Sequence, residues 1–193
     1  MDESGKQLLN TIYNITVQMS HLVEELLAFA RFRHQEVNAS EIDMEGLAKN
    51  ASREIKTLHP GRRLQLGIKA LPPACGDEAM IRQVLVNLLA NAIKFTHPEN
   101  AVVIEIGAKV EGGMNIYYVK ENGIGFDMEQ AEKIFEIFER LHPAKEYEGS
   151  GLGLAIVRRI IERCGGRVWA EGQVDRGATF YFSLPKAGSI NHI

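Results

Sequence analysis

The sequence predicts an α+β fold: a two-layer α/β sandwich preceded by one long coiled-coil-like helix. Three observations carry that expectation. The N-terminal segment holds one apolar stripe at alternating spacings of four and three, the seam of a helix that packs along another. From residue 43 onward, segments of helix and strand period follow in the order α-β-α-β-β-α-α-β-β. Strands clustered with helices, rather than strictly alternating, favour one mixed sheet under one helical layer. The composition also permits a core, with 45% hydrophobic and 24% charged residues in a chain of 193.

The long helix is expected from about Gly5 to Arg33, with Leu8, Ile12, Ile15, Met19, Leu22, Leu26 and Phe29 on its seam. A single seam of this length cannot bury itself, so it needs a second helix or a fold-back onto the rest of the chain. Arg33 to Ala39 is polar and aperiodic and reads as a linker. Asp43 can cap a helix through Leu47, Ala51, Ile55 and Leu58, which His59-Pro60-Gly61 ends. Leu64, Leu66 and Ile68 alternate with other residues as a strand does. Pro72-Pro73 and Gly76-Asp77 break the chain, and a strong helix is predicted over Glu78–Thr96. Val102–Lys109 and Asn115–Lys120 read as strands joined through Glu111-Gly112-Gly113. A helix is expected at Met128–Phe138, and Arg140–Gly149 has no period and reads as a mobile loop. The last helix is placed at Gly151–Cys164, stopped by Gly165-Gly166. Arg167–Glu171 and Thr179–Leu184 supply two strands around a turn at Asp175-Arg176-Gly177. The expected division is 1–36 for the helix, 43–187 for the sandwich domain and 188–193 for a tail.

A net charge of -3 gives no basic footprint for nucleic acid. No uncharged run approaches the roughly 18 residues of a membrane span, and Met1-Asp2-Glu3-Ser4 does not open a signal peptide. Cys75 and Cys164 lack metal-ligand spacing and read as reduced thiols, so the expected compartment is the cytoplasm.

Three segments carry chemistry. In Gln83–Thr96, Val84, Leu85, Leu88, Leu89 and Ala92 form an apolar face, while Asn87, Asn91 and Lys94 fall at i, i+4 and i+7 on another stripe. Carboxamide oxygens can ligate Mg²⁺ and an ammonium can neutralise phosphate; the same stripe alone reads equally as a solvated helix face. Glu121-Asn122-Gly123-Ile124-Gly125-Phe126 follows a strand. Its glycines let backbone approach a flat ligand, and its carboxylate can accept from an amine, although a tight strand-to-helix turn would look the same. Gly149-Ser150-Gly151-Leu152-Gly153-Leu154 opens a helix, where free N–H groups attract anions. No βαβ context precedes it and no Gly-Lys-Ser/Thr follows, which excludes dinucleotide-fold and P-loop readings.

Together and in this order, the three segments resemble the N, G1 and G2 boxes of the GHKL (Bergerat) ATPase/kinase superfamily, most closely the catalytic domain of sensor histidine kinases. Ile134–Arg140 is similar to the family's F box and Gly177-Ala178-Thr179 to its last glycine box. Arg140-Leu141-His142, Glu146-Tyr147 and Gly149 resemble the phytochrome-like branch. The resemblance spans residues 43 to 185. It implies ATP and Mg²⁺ as cofactors, a response regulator as downstream partner and a dimeric, phosphorelay-type kinase. By site, it implies Asn91 as the Mg²⁺ ligand with Asn87 supporting it, Lys94 on phosphate, Phe95 lining the adenine pocket and Glu121 as the adenine acceptor. Gly123 and Gly125 admit the base, Gly149, Gly151, Leu152 and Gly153 form the phosphate-side hinge, and Thr179 assists at the adenine.

One position separates the chemistries of the superfamily. The hydrolysing members carry a glutamate base one helical turn before the metal-binding Asn; here that position is Asn87, whose carboxamide takes no proton at neutral pH. Phosphoryl transfer is therefore expected over an Hsp90- or gyrase-like motor. The sequence also departs from the family twice. Glu121 stands where the family carries Asp. None of the six histidines has the acidic neighbour and following proline of a phosphoacceptor, His21 coming closest. Residues 1–33 resemble the second helix of the dimerisation hairpin, so the chain reads as a fragment that begins in the hairpin turn. A degenerate ATP-binding module and a helix-mediated dimerisation fragment are the alternative readings.

Overall fold

The structure, a computed structural model, describes residues 36–139 and 151–188, together with residues 5–9, 11–13, 16, 19–20, 23 and 26–27 of the N-terminal segment. The chain divides into two compact units, Met1–Gln35 and Glu36–Ile193. In the first, the described residues are helical, and Leu8, Ile12, Met19 and Leu26 of the seam are exposed. Ile15, Leu22 and Phe29 of the seam, and His21, lie outside the described residues.

The second unit is built on a five-stranded sheet of β2 (Leu64–Ile68), β4 (Val102–Glu111), β5 (Met114–Glu121), β6 (Val168–Gln173) and β7 (Gly177–Pro185), in the order β2-β4-β5-β7-β6. Only β2 and β4 run parallel; the other neighbours are antiparallel, so the sheet is mixed as expected. Helices α1 (Met44–Leu58), α2 (Glu78–Lys94) and α3 (Gly153–Arg163) lie side by side over it, α2 touching both neighbours. Period-2 alternation points Val102, Ile104 and Ile106 of β4, Tyr117 and Val119 of β5 and Phe180, Phe182 and Leu184 of β7 into the shared core, where all are buried. Tyr117 stacks on Phe182 with ring centroids 5.3 Å apart. Its hydroxyl donates to the Pro72 carbonyl at 2.6 Å, and burial pushes its pKa up to about 12.

Helices α1 and α2 start, and α3 stops, on residues that sequence capping rules name. Asp43 caps α1 by accepting from the Gly46 N–H at 3.0 Å. Asp77 caps α2 by accepting from Met80 N–H at 3.1 Å, and its other oxygen takes the Asn38 N–H at 3.1 Å. Gly165, at φ 75°, ends α3 in the left-handed conformation.

Two expectations change. A second, two-stranded sheet pairs β1 (Ser40–Ile42) with β3 (Ala74–Gly76), neither anticipated as strands. The expected helix at Met128–Phe138 is instead two 3₁₀ turns, Met128–Gln130 and Lys133–Phe135. An α-helix that buries Ile134 would bring Ile137 and Phe138, three and four residues on, to the same face. Both are exposed, and Phe138 at φ 64° turns the chain away. The expected loop over residues 140–149 lies outside the described residues, as do residues 189–193.

Candidate nucleotide site

The site is assembled where the C-terminal half of α2 meets the loop after β5 and the turn that opens α3. Eight apolar side chains of α2 are buried against the sheet and its neighbouring helices, which leaves Asn87, Asn91 and Lys94 half-buried on the other stripe. The Asn87 carboxamide is held at both ends. Its Oδ1 accepts from Gln83 Nε2 at 3.1 Å, and its Nδ2 donates to the Gly153 carbonyl at 3.2 Å. Asn87 thus ties the first residue of α3 to α2 with both hydrogen-bonding ends occupied, an arrangement for positioning rather than proton abstraction. A Cβ on Gly153 would lie 4.0 Å from Asn91 Oδ1, so both carboxamides border this turn. Gly151 adopts φ 76°, and a side chain there would meet the Glu139 carbonyl at 2.8 Å. Leu152 is buried. Gly149 lies outside the described residues.

Phe95 closes α2. Its N–H bonds the Asn91 carbonyl, and its own carbonyl accepts the Ile124 N–H, both at 2.9 Å. Lys94 Nζ sits 4.5 Å from the Phe95 ring centroid. The loop after β5 is therefore hung on the end of α2. A second anchor comes from Asn122, whose Oδ1 accepts from Val103 N–H at 2.7 Å and whose Nδ2 donates to the Ala101 carbonyl at 3.0 Å. A third is the Asp175 N–H, which donates to the Ile124 carbonyl at 2.7 Å. Gly125, at φ 61°, passes so close to the β6–β7 connection that a Cβ would lie 2.0 Å from the Gln173 carbonyl. Main chain packs on main chain here, which only glycine permits.

Glu121 is 6% exposed at the end of β5. Its carboxyl accepts from the Gly123 N–H and the Ala178 N–H. Burial outweighs both hydrogen bonds and raises its pKa to about 7. The register pairs Glu121 with Ala178 and Lys120 with Thr179. Since successive strand residues face opposite sides, Thr179 shares a face with Tyr181, away from Glu121. The expected adenine role of Thr179 is thus not supported by its position; Ala178 is the β7 residue beside Glu121. Among the described residues no three His, Cys, Asp or Glu side chains cluster as a metal site.

Sequence reasoning missed Gln83, Asn122 and Ala178. All three lie inside motifs quoted above; Gln83 bonds Asn87 one helical turn on, whereas Asn122 and Ala178 meet partners distant in the chain.

A profile of the histidine kinase-, DNA gyrase B- and HSP90-like ATPases matches residues 76–188, from the last residue of β3 to just past β7. The chain belongs to this ATPase family. Among relatives of the family, the phytochrome-like protein Cph1 of Synechocystis sp. is 32% identical over 185 residues, covering 96% of this chain and 25% of that protein. The methanogenesis regulatory histidine kinase FilI of Methanothrix harundinacea is 38% identical over 186 residues, covering 92% of this chain and 20% of that one. The chain thus spans a quarter or less of these relatives. Full-length ShkA, solved in complex with AMPPNP, superposes with a TM-score of 0.75 at 28% identity, over 97% of this chain and 40% of ShkA. The catalytic domain of histidine kinase ThkA superposes with a TM-score of 0.66 at 27% identity, over 78% of this chain and 97% of that domain. The resemblance to histidine kinases, phytochrome-like ones among them, and the GHKL sandwich are both established by these matches.

Proposed function

We propose that this chain is the ATP-binding catalytic core of a sensor histidine kinase, which passes the ATP γ-phosphoryl to a histidine outside it in two-component signalling. The observation that carries the reading is the convergence of Asn87, Asn91 and Lys94, the Glu121–Phe126 loop and the Gly151–Gly153 turn at one end of α2. The AMPPNP bound by ShkA supports ATP as the ligand. Asn91 offers a hard oxygen of the kind Mg²⁺ takes from protein when phosphates and waters complete its shell. The ion neutralises charge on the transferring phosphoryl group. Lys94 approaches phosphate, Phe95 and Glu121 flank the base, and the glycines let backbone approach both. Residues 1–36 serve as the second helix of a dimerisation hairpin, with a partner helix on the exposed seam and a response regulator downstream.

The test mixes the full chain with a histidine-bearing hairpin from a related kinase and radiolabelled ATP. Acid-labile label on the hairpin supports the reading. ATP turnover above about 1 s⁻¹, an ordinary enzyme rate, or no nucleotide binding by calorimetry, overturns it.

One observation favours a second reading, an ATP-sensing module without kinase activity. The Glu121 carboxyl is engaged by Gly123 and Ala178, and its extra methylene, about 1.5 Å longer than Asp, shifts the acceptor. Glu121→Asp is expected to tighten ADP binding about tenfold, the effect of an acceptor restored to a buried donor. Equal affinities by calorimetry would remove Glu121 as a handicap. Nucleotide binding without transfer would favour the sensing module.

A further inference from the structure

The turn that leads from α1 into β2 carries an arginine whose side chain is spent on main chain far along the sequence. Arg62 donates to the carbonyls of Thr96 at 2.8 Å, His97 at 3.2 Å and Pro98 at 2.8 Å, and reaches that of Ile93 at 3.5 Å. Its neighbour Arg63 donates to the Glu99 carbonyl at 2.7 Å. One of these carbonyls, that of Ile93, belongs to the last turn of α2, and the others line the connection just past its C-cap Phe95, where a cation also meets the negative end of the helix dipole. The guanidinium is half-buried, and its Nε is enclosed without a hydrogen-bond partner. Satisfying its own donors therefore does not account for the placement; the row of carbonyls sets it.

What this row holds is the chain on either side of Phe95, from Ile93 in the last turn of α2 to Glu99 beyond it. The Phe95 carbonyl accepts the Ile124 N–H at 2.9 Å, and a Cβ on Gly123 would lie 2.5 Å from that same oxygen. A displaced helix end would either break the Ile124 bond or drive Phe95 into the glycine loop. We infer that Arg62 is a positioning residue for nucleotide binding: it fixes the α2 C-terminus so that Lys94, Phe95 and the Gly123–Gly125 loop keep one mutual geometry. The inference rests on the ATP reading for its ligand but not for its mechanics. Lysine cannot replace the function fully, because one ammonium lacks the planar fork that spans several carbonyls.

The test compares wild type, Arg62→Ala, Arg62→Lys and Tyr117→Phe in the full chain. Tyr117→Phe removes a buried hydrogen bond to Pro72 and serves as a control for simple destabilisation. Two readouts are taken well below the unfolding transition: hydrogen exchange at the Ile124 amide without nucleotide, and ADP affinity by calorimetry. In Arg62→Ala the Ile124 amide is expected to exchange at least about tenfold faster and ADP to bind at least about fivefold more weakly. Arg62→Lys should fall between the two, and Tyr117→Phe should change neither. Unchanged Ile124 exchange in Arg62→Ala, or equal changes in Tyr117→Phe, overturns the positioning role. Accelerated exchange in a wild-type background that binds no ADP supports the clamp and overturns the ATP reading instead.

Discussion

At Glu121, burial and hydrogen bonding act on one carboxyl in opposite directions. Two backbone N–H groups favour the charged form, yet loss of water dominates, and the pKa rises from 4.5 to about 7. The folded chain therefore keeps a proton that the unfolded chain has released. The stability from this proton is complete below about pH 4.5 and is lost as pH rises through about 7. At about 1.4 kcal/mol per unit, the whole effect is on the order of 3 kcal/mol. Urea unfolding at about pH 5 and about pH 8 should show wild type losing stability at the higher pH relative to Glu121→Gln, whose amide stays neutral. Parallel pH profiles would exclude Glu121 as the source. The departure from aspartate was legible in the sequence. The engagement with Ala178 was not, because strand register places that partner. Register likewise decides that Thr179 faces away: alternation says that Ala178 and Thr179 point to opposite sides, but not which side holds the site.

Between elements, the contact of most consequence is Asn87 with the start of α3. Asn87→Leu removes the amide that holds the Gly153 carbonyl and leaves Gln83 without its acceptor. It should cost about 1 kcal/mol in thermal or urea unfolding and weaken ADP binding by more than that loss explains. Unchanged affinity would mean that the turn needs no tie to α2. The long elements could be read because period is a repeated measurement: α2 shows its 3.6-residue pattern over several turns, and β4, β5 and β7 show theirs over eight or more residues. Strands β1 and β3 have three residues each, too few for any period to register. The segment after Phe126 misled for the opposite reason. Its apolar residues fit helical spacing, but Ile134 and Phe135 are buried while Ile137 and Phe138 are not.

For the whole chain, the α+β sandwich and its mixed sheet followed from the order of elements, and three spaced motifs located the site. Arg62 stayed hidden because an arginine before a strand resembles any solvated cation until the loop after α2 is seen against it. The exposed seam residues Leu8, Ile12, Met19 and Leu26 predict self-association through residues 1–36. Sedimentation should show concentration-dependent oligomers that vanish when that segment is deleted, while circular dichroism of the remaining domain is retained; oligomers that persist would place the contact elsewhere. The strand order carries a further consequence. β7, the last strand made among those described, does not lie at the edge but between β5 and β6. A ribosome releasing this chain has therefore exposed β5 and β6 before the strand that joins them exists. Long-range pairing of this kind is slow and leaves strand edges open to aggregation. A message cut short before residue 177 would yield a split sheet with two open edges and no smaller folded domain, a product suited to proteolysis.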